Sequence, residues 1–174
     1  MIRVVKSEAR EVETDAILRS VSGNLESDTP FSRGLEILAG RDLSDRLQAM
    51  GDLPVGAAVI TPGGELSGRF LIHVVLQSAD EPVTPEGIRS ALQNGLRRAE
   101  EWGLESLAVP PLGTGAGNLE AEEAAAVMIP LLSSHLAKGE SLREVMILVG
   151  SGYEEDVFSR FLERLEGKEG ETDG

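Results

Sequence analysis

The segment Ser106-Leu-Ala-Val-Pro-Pro-Leu-Gly-Thr-Gly-Ala-Gly-Asn118 runs from an apolar stretch straight into three closely set glycines, and an alanine-rich stretch begins near Leu119. A buried strand, a glycine turn and a helix in immediate succession restrict the chain to folds in which strands alternate with covering helices. The turn also has chemical potential. Glycine permits positive φ and lets backbone N–H groups approach a ligand. The first turn of the following helix adds unpaired N–H donors and the positive end of its dipole, so a phosphate or diphosphate is the natural occupant. Gly113, Thr114, Gly115, Ala116 and Gly117 are therefore the first candidate ligand-binding residues. The segment is neither a Walker loop, because no Gly-Lys-Ser/Thr follows, nor the dinucleotide fingerprint, because Asn118 stands where the third glycine is needed. The competing reading is a plain strand-to-helix turn with Asn118 as its N-cap. Glu120, Glu122 and Glu123 suit the helix dipole themselves and would repel a phosphate they faced.

The rest of the chain keeps the same rhythm. Strands are expected at Ile2 to Lys6, Asp15 to Val21, Val55 to Thr61, Arg69 to Leu76, Leu107 to Pro110 and Val145 to Val149. Helical spacing covers Phe31 to Met50 with a break near Gly40, then Thr84-Pro85 to Gly103, Leu119 to Ala137 and Glu154 to Leu165. Thr84 suits an N-cap and Pro85 a first helical position. Pro130 removes one helical hydrogen bond and predicts a kink. Ser22 to Pro30 is a polar loop rich in turn formers. The expectation is an α/β fold, a three-layer α/β/α sandwich around a mixed, largely parallel sheet. Residues 1–166 form a single domain and residues 167–174 an acidic flexible tail. In such sheets ligands sit beyond the carboxyl ends of strands, which directs attention to the loops after Val21, Pro111 and Val149.

Composition narrows the chemistry. The formal net charge of −14 argues against a nucleic-acid partner and against an anionic membrane surface. It also makes any anionic ligand depend on a local cradle. With no cysteine there is no disulfide, thiolate metal site or cysteine nucleophile. His73 and His135 lack metal-ligand spacing. The N-terminus is broken by charges too early for a signal peptide, and no apolar run approaches the roughly 20 residues of a membrane span. A cytoplasmic protein is the expectation.

Among single residues, His73 lies mid-strand and reads as a hydrogen-bonded core histidine rather than a base. Glu8 and Asp15 flank strands and could accept from a ligand amine or hydroxyl, or simply be solvated, with Arg10 a partner. Tyr153 and Phe158 follow the last strand and could stack on a base or pack in the core. No serine has an evident histidine and acid partner.

Asp15-Ala-Ile-Leu, Val55-Gly-Ala-Ala-Val-Ile-Thr-Pro-Gly-Gly-Glu-Leu, Leu71-Ile-His-Val-Val and Leu107-Ala-Val-Pro-Pro-Leu-Gly-Thr-Gly-Ala-Gly together, in this order and spacing, resemble a macro domain. The resemblance runs over residues 2–165 and implies a module that binds ADP-ribose. It implies that Leu112 to Gly117 is the second of two diphosphate-holding loops, that Glu8 reads the adenine amine, and that Phe158, or else Tyr153, flanks the base. The first loop departs from the family. Active members carry Asn-Ala-Ala-Asn followed by a run of glycines, whereas this chain has Arg19-Ser-Val-Ser-Gly-Asn-Leu-Glu-Ser-Asp-Thr-Pro30. Arg19 takes the place of the ribose-contacting asparagine and could pair with a phosphate; Ser22 joins it as a first-loop candidate.

The expectation is thus a binder of ADP-ribose or a related adenine nucleotide, free or on an ADP-ribosylated protein, with no catalytic residue and no further cofactor. Two alternatives stay open: a degenerate macro fold used as a protein-interaction or structural unit, and an ADP-ribosyl hydrolase.

Overall fold

The computed structural model describes residues 1–66, 69–115 and 119–172, the last of these by its backbone alone. Among the described residues six strands form one sheet: β1 (Ile2–Lys6), β2 (Ala16–Ser22), β3 (Ala58–Pro62), β4 (Phe70–Gln77), β5 (Ser106–Val109) and β6 (Glu144–Val149). Their order is β1-β6-β5-β2-β4-β3. Every neighbouring pair is parallel except β3 and β4, so the sheet is mixed and largely parallel, as expected.

Helices cover both faces. α1 (Pro30–Ala39) and α2 (Arg41–Met50) lie on one. α3 (Pro85–Glu101), α4 (Ala121–Lys138) and α5 (Gly152–Thr172) lie on the other. The two faces can be read from the period-2 alternation of the strands. Leu18, Ile72, Val74, Leu107, Val109, Val145 and Ile147 pack with Leu92, Leu96, Met128, Leu132 and Phe158 of α3, α4 and α5. The intervening Ile17, Val21, Leu71, Val75, Ala108 and Leu148 pack with Leu35, Ala39, Leu43 and Leu47 of α1 and α2.

Local signals set the helix ends. Thr29 accepts from Ser32 N–H at 3.0 Å and Thr84 from Gly87 N–H at 3.0 Å, each with proline in the first helical turn. Gly40, at φ +95°, separates α1 from α2. α4 starts at Ala121, where Glu123 reaches back to the Glu120 N–H at 3.2 Å. Glu120 therefore stands at the N-cap expected of Asn118, which lies outside the described residues.

Two expectations shift. Residues Pro54 to Ala57 form a turn, with Ala57 N–H donating to Pro54 O at 3.1 Å, so β3 begins at Ala58 rather than Val55. The described C-terminal segment is helical where an irregular tail was expected: α5 runs on to Thr172, and Ser133 of α4 donates to Glu169 at 3.4 Å. Among the described residues no helix is long and apolar enough to cross a membrane.

Candidate ligand cleft at the carboxyl ends of the central strands

β2 and β5 are neighbours at the middle of the sheet, yet the chain leaves β2 for helices on one face and β5 for a helix on the other. Where consecutive connections diverge in this way, a crevice opens beyond the strand ends. The loop of residues 23–29 borders it on one side and the glycine turn after β5 on the other.

The glycine turn requires its first glycine. Gly113 is buried and has φ +84°, and its carbonyl accepts from Leu119 N–H at 3.2 Å. A Cβ at this position would stand 2.8 Å from Ile88 Cδ1 and 2.9 Å from Leu119 Cδ1. Gly115 is exposed, and a Cβ there would stand 3.0 Å from Thr29 Cγ2. The two loops therefore face each other directly, with Thr29 against the backbone of Gly115.

The first loop folds back on itself. Leu25 adopts φ +67°, Ser22 N–H donates to Glu26 O at 3.0 Å, and Val21 bridges Ser27. Asp28 is half-buried and accepts from Ser20 Oγ at 2.7 Å and from Gln77 Nε2 at 3.5 Å. Burial raises its pKa, against the lowering effect of these bonds and of Arg19. Nearby, Ser22, Gly23, Asn24, Asp52, Leu53 and Gln77 line a cavity of ≈ 590 Å³ at the ends of β2 and β4.

Beneath this loop lies a buried polar chain. Arg19, fully buried on β2, donates from Nε to His73 Nδ1 at 2.8 Å, and from Nη1 to Ser27 Oγ at 2.8 Å and Ser32 Oγ at 2.9 Å. It also pairs with Glu36 at 3.4 Å. Since Arg19 donates to Nδ1, the His73 proton resides on Nε2 and is donated to Thr61 Oγ1 at 2.8 Å. Arg19 Nη2 has no partner among the described residues.

His73 is thus the hydrogen-bonded core histidine expected. Burial, and secondarily the Arg19 charge, hold its pKa well below 6.5, so it stays neutral in the folded chain. The unfolded chain binds a proton near pH 6.5 that the folded chain refuses. Stability contributed by this site is full above that pH and declines below it, by about 1.4 kcal/mol per pH unit. Asp28 acts in the opposite sense: its raised carboxyl loses stability as pH rises above the unfolded value of 3.8. Urea unfolding of the wild type and of His73→Gln, compared at about pH 7.5 and about pH 5.5, separates the two. The wild type should lose about 1.4 kcal/mol more than the variant over that interval.

The residues predicted from sequence fall into different places. Gly113, Thr114 and Gly115 form the turn at the crevice, while Ala116 and Gly117 lie outside the described residues. Ser22 ends β2 and lines the adjoining cavity. Glu8 is exposed and precedes a single 3-10 turn, Ala9–Glu11, with its carboxylate 2.7 Å from Arg10 Nε. Asp15 is committed to structure: its Oδ2 accepts from Glu105 N–H at 2.8 Å and Ser106 N–H at 3.2 Å.

Two expectations are corrected. Arg19 does not reach toward a phosphate, because its guanidinium is buried among His73, Ser27, Ser32 and Glu36. Phe158 offers no face to a base, because it is fully buried in the core under α5. The exposed aromatic after the last strand is Tyr153, whose hydroxyl donates to Glu122. Asp28 and Thr29, which no sequence motif singles out, also stand in the first loop, Asp28 bonded to Ser20 and Thr29 against Gly115. Their only local signal is the Ser-Asp-Thr-Pro run, in which Thr-Pro announces a helix start rather than a ligand contact.

The sheet order and the glycine turn facing the first loop together define a class of protein. The macro domain family model matches residues 21–128, and the chain belongs to the macro domain family. It is 27% identical over 176 residues to a macro domain-containing protein of Caldanaerobacter subterraneus subsp. tengcongensis, covering 95% of this chain and 97% of that protein. Its fold is like that of the Oceanobacillus iheyensis macrodomain with ADP, at TM-score 0.86 and 23% identity, covering 95% of this chain and 91% of that one. It is also like the Trypanosoma brucei macrodomain in complex with ADP-ribose, at TM-score 0.82 and 17% identity, covering 91% of this chain and 68% of that one.

Proposed function

We propose that this chain binds ADP-ribose or a related adenine nucleotide in the crevice between residues 23–29 and the turn at Gly113 to Gly115, and does not hydrolyse it. The observation that carries this reading is the Gly113 turn. It is a left-handed, buried glycine at the carboxyl end of a central strand, opposite a second loop. Backbone N–H groups presented there would hold a diphosphate without needing a cationic side chain. Macrodomains of the same fold are seen with ADP and with ADP-ribose, which supports this ligand class.

The use of the strong groups supports the reading of no turnover. His73 is neutral and bonded on both ring nitrogens, and Arg19 is spent on the core. Neither can exchange protons with a bound ligand or steady its charge.

Calorimetry with ADP-ribose tests the proposal. Saturable heat with a dissociation constant below about 1 mM, equivalent to about −4 kcal/mol, is expected. Affinity should rise as salt is added, because the net charge of −14 repels the anion at long range and salt screens it. No ADP-ribose should be released from an ADP-ribosylated protein. Absence of heat at millimolar ligand removes the binding reading; release of ADP-ribose removes the claim of no turnover.

One observation favours a second reading. The first loop satisfies its polar groups internally, and Thr29 packs on Gly115. A crevice closed in this way would leave the fold as a structural or protein-interaction unit, and absent heat with an intact fold would point there.

A further inference from the structure

A second concave site lies away from the crevice, between α3 and α4 on the outer surface. It encloses ≈ 660 Å³. Arg89 and Arg97 stand on one stripe of α3, two turns apart with Gln93 between them, and Lys138 stands on the last turn of α4. Val127 and Leu131 of α4 supply aliphatic floor.

The charge of this groove runs against the composition of the chain. The chain carries 16 Lys and Arg against 30 Asp and Glu, whereas this groove gathers Arg89, Arg97 and Lys138 around a single carboxylate, Glu100. Arg89, Arg97 and Lys138 nevertheless form no ion pair or side-chain hydrogen bond among the described residues, and all three are exposed. Glu100 is the one carboxylate among the lining residues, and it is already committed. Its oxygens accept from Ser141 N–H at 2.9 Å, Ser141 Oγ at 2.7 Å and Leu142 N–H at 3.3 Å, and meet His135 Nε2 at 3.0 Å. Burial acts to raise its pKa, and these bonds outweigh that and hold it at about 2. Pro130 adds a backbone feature. Lacking an N–H, it removes the donor that would meet the carbonyl of Ala126, an exposed residue on the same wall.

We propose that this groove binds an acidic peptide segment of a partner protein. Its carboxylates would meet Arg89, Arg97 and Lys138, and an aliphatic side chain would rest on Val127 and Leu131. The groove complements this ligand in charge and in apolar floor. A nucleic acid fits less well. The one aromatic ring among the lining residues, the imidazole of His135, is partly buried and held by Glu100 at 3.0 Å, and the field of the whole molecule repels a long polyanion. The proposal is independent of the nucleotide reading, since the two sites share no residue.

The test uses the whole chain, labelled with nitrogen-15, and a synthetic peptide carrying Leu-Ile between pairs of glutamates. Amide shifts that saturate and map to residues 89–97 and 126–138 are expected. The combined variant Arg89→Glu, Arg97→Glu, Lys138→Glu should weaken the peptide at least about tenfold. Its own amide spectrum and an ADP-ribose titration on the same sample report whether the fold and the crevice are unchanged. Any one of four results would overturn the proposal: no shifts, shifts that map elsewhere, an affinity indifferent to the charge reversal in a folded variant, or equal binding of a peptide with lysine in place of glutamate. Binding of a uridine oligonucleotide in the groove in preference to the peptide would do the same.

Discussion

Arg19→Ala is expected to lower the unfolding free energy by about 3–5 kcal/mol, more than any other single change considered for this chain. The reason is the number of elements that meet at one guanidinium. Arg19 joins β2 to β4 through His73, to the first loop through Ser27, and to α1 through Ser32 and Glu36. Glu36 in turn accepts from Ser44 of α2 at 3.0 Å. Truncation leaves a void in the α1 face of the core and strands the acceptor Nδ1 of a fully buried histidine. A domain of this size should then melt lower by roughly 10 °C. Removing both ends of the bond should hurt less than removing one, because no buried acceptor is left unpaired. Arg19→Met with His73→Leu is therefore expected to recover part of the loss. Denaturant melts of the wild type and the two variants settle the point. A cost below about 1 kcal/mol for Arg19→Ala would show that the network is not a structural pillar.

Gly113→Ala carries the second large effect, and this one reaches the ligand. A side chain at φ +84° is strained in any residue other than glycine. The added Cβ also crowds Ile88 and Leu119, both packed against the core. A loss of about 1–3 kcal/mol is expected, together with at least about a tenfold loss of ADP-ribose affinity as the turn tilts its N–H groups. Gly115→Ala provides the contrast. Its backbone does not occupy the left-handed region, and its conflict is with the Thr29 methyl alone. Gly115→Ala should cost under about 1 kcal/mol, and adding Thr29→Ser should relieve it, since serine keeps the cap to Ser32 N–H while removing Cγ2. Equal effects of Gly113→Ala and Gly115→Ala on ligand affinity would contradict the role given to the turn.

The architecture was legible because its signals are local and repeated. Apolar runs marked the strands, and Thr84-Pro85 marked the start of α3. The α5 extension was not legible. Gly167 and Gly170 read as a tail, and the helix is held there by contacts with α4, such as Ser133 to Glu169, that no local pattern encodes.

The site was less legible than the fold. The Gly113 turn was visible because glycine spacing betrays a backbone requirement. For Phe158 the residue pattern allows either a base or the core, and its helical stripe decides for the core: with Phe161, Leu162 and Leu165 it falls on the packed face of α5, not where the resemblance implies. The resemblance aligns Arg19 with a ligand-contacting position, but the strand pattern decides which face it takes. Its strand neighbours Ile17 and Val21 both point to the α1 face, and period-2 alternation sends Arg19 the same way. The partners that make such burial possible come from His73, Ser32 and Glu36, separated from Arg19 in sequence and brought together only by the fold.

A crystal of this chain soaked in millimolar ADP-ribose addresses the central claim most directly. The account predicts diphosphate density against the Gly113 to Gly115 backbone, with residues 23–29 on its opposite side and Arg19 unmoved beneath them. Crystals whose crevice stays empty, with Thr29 still seated on Gly115, would contradict it.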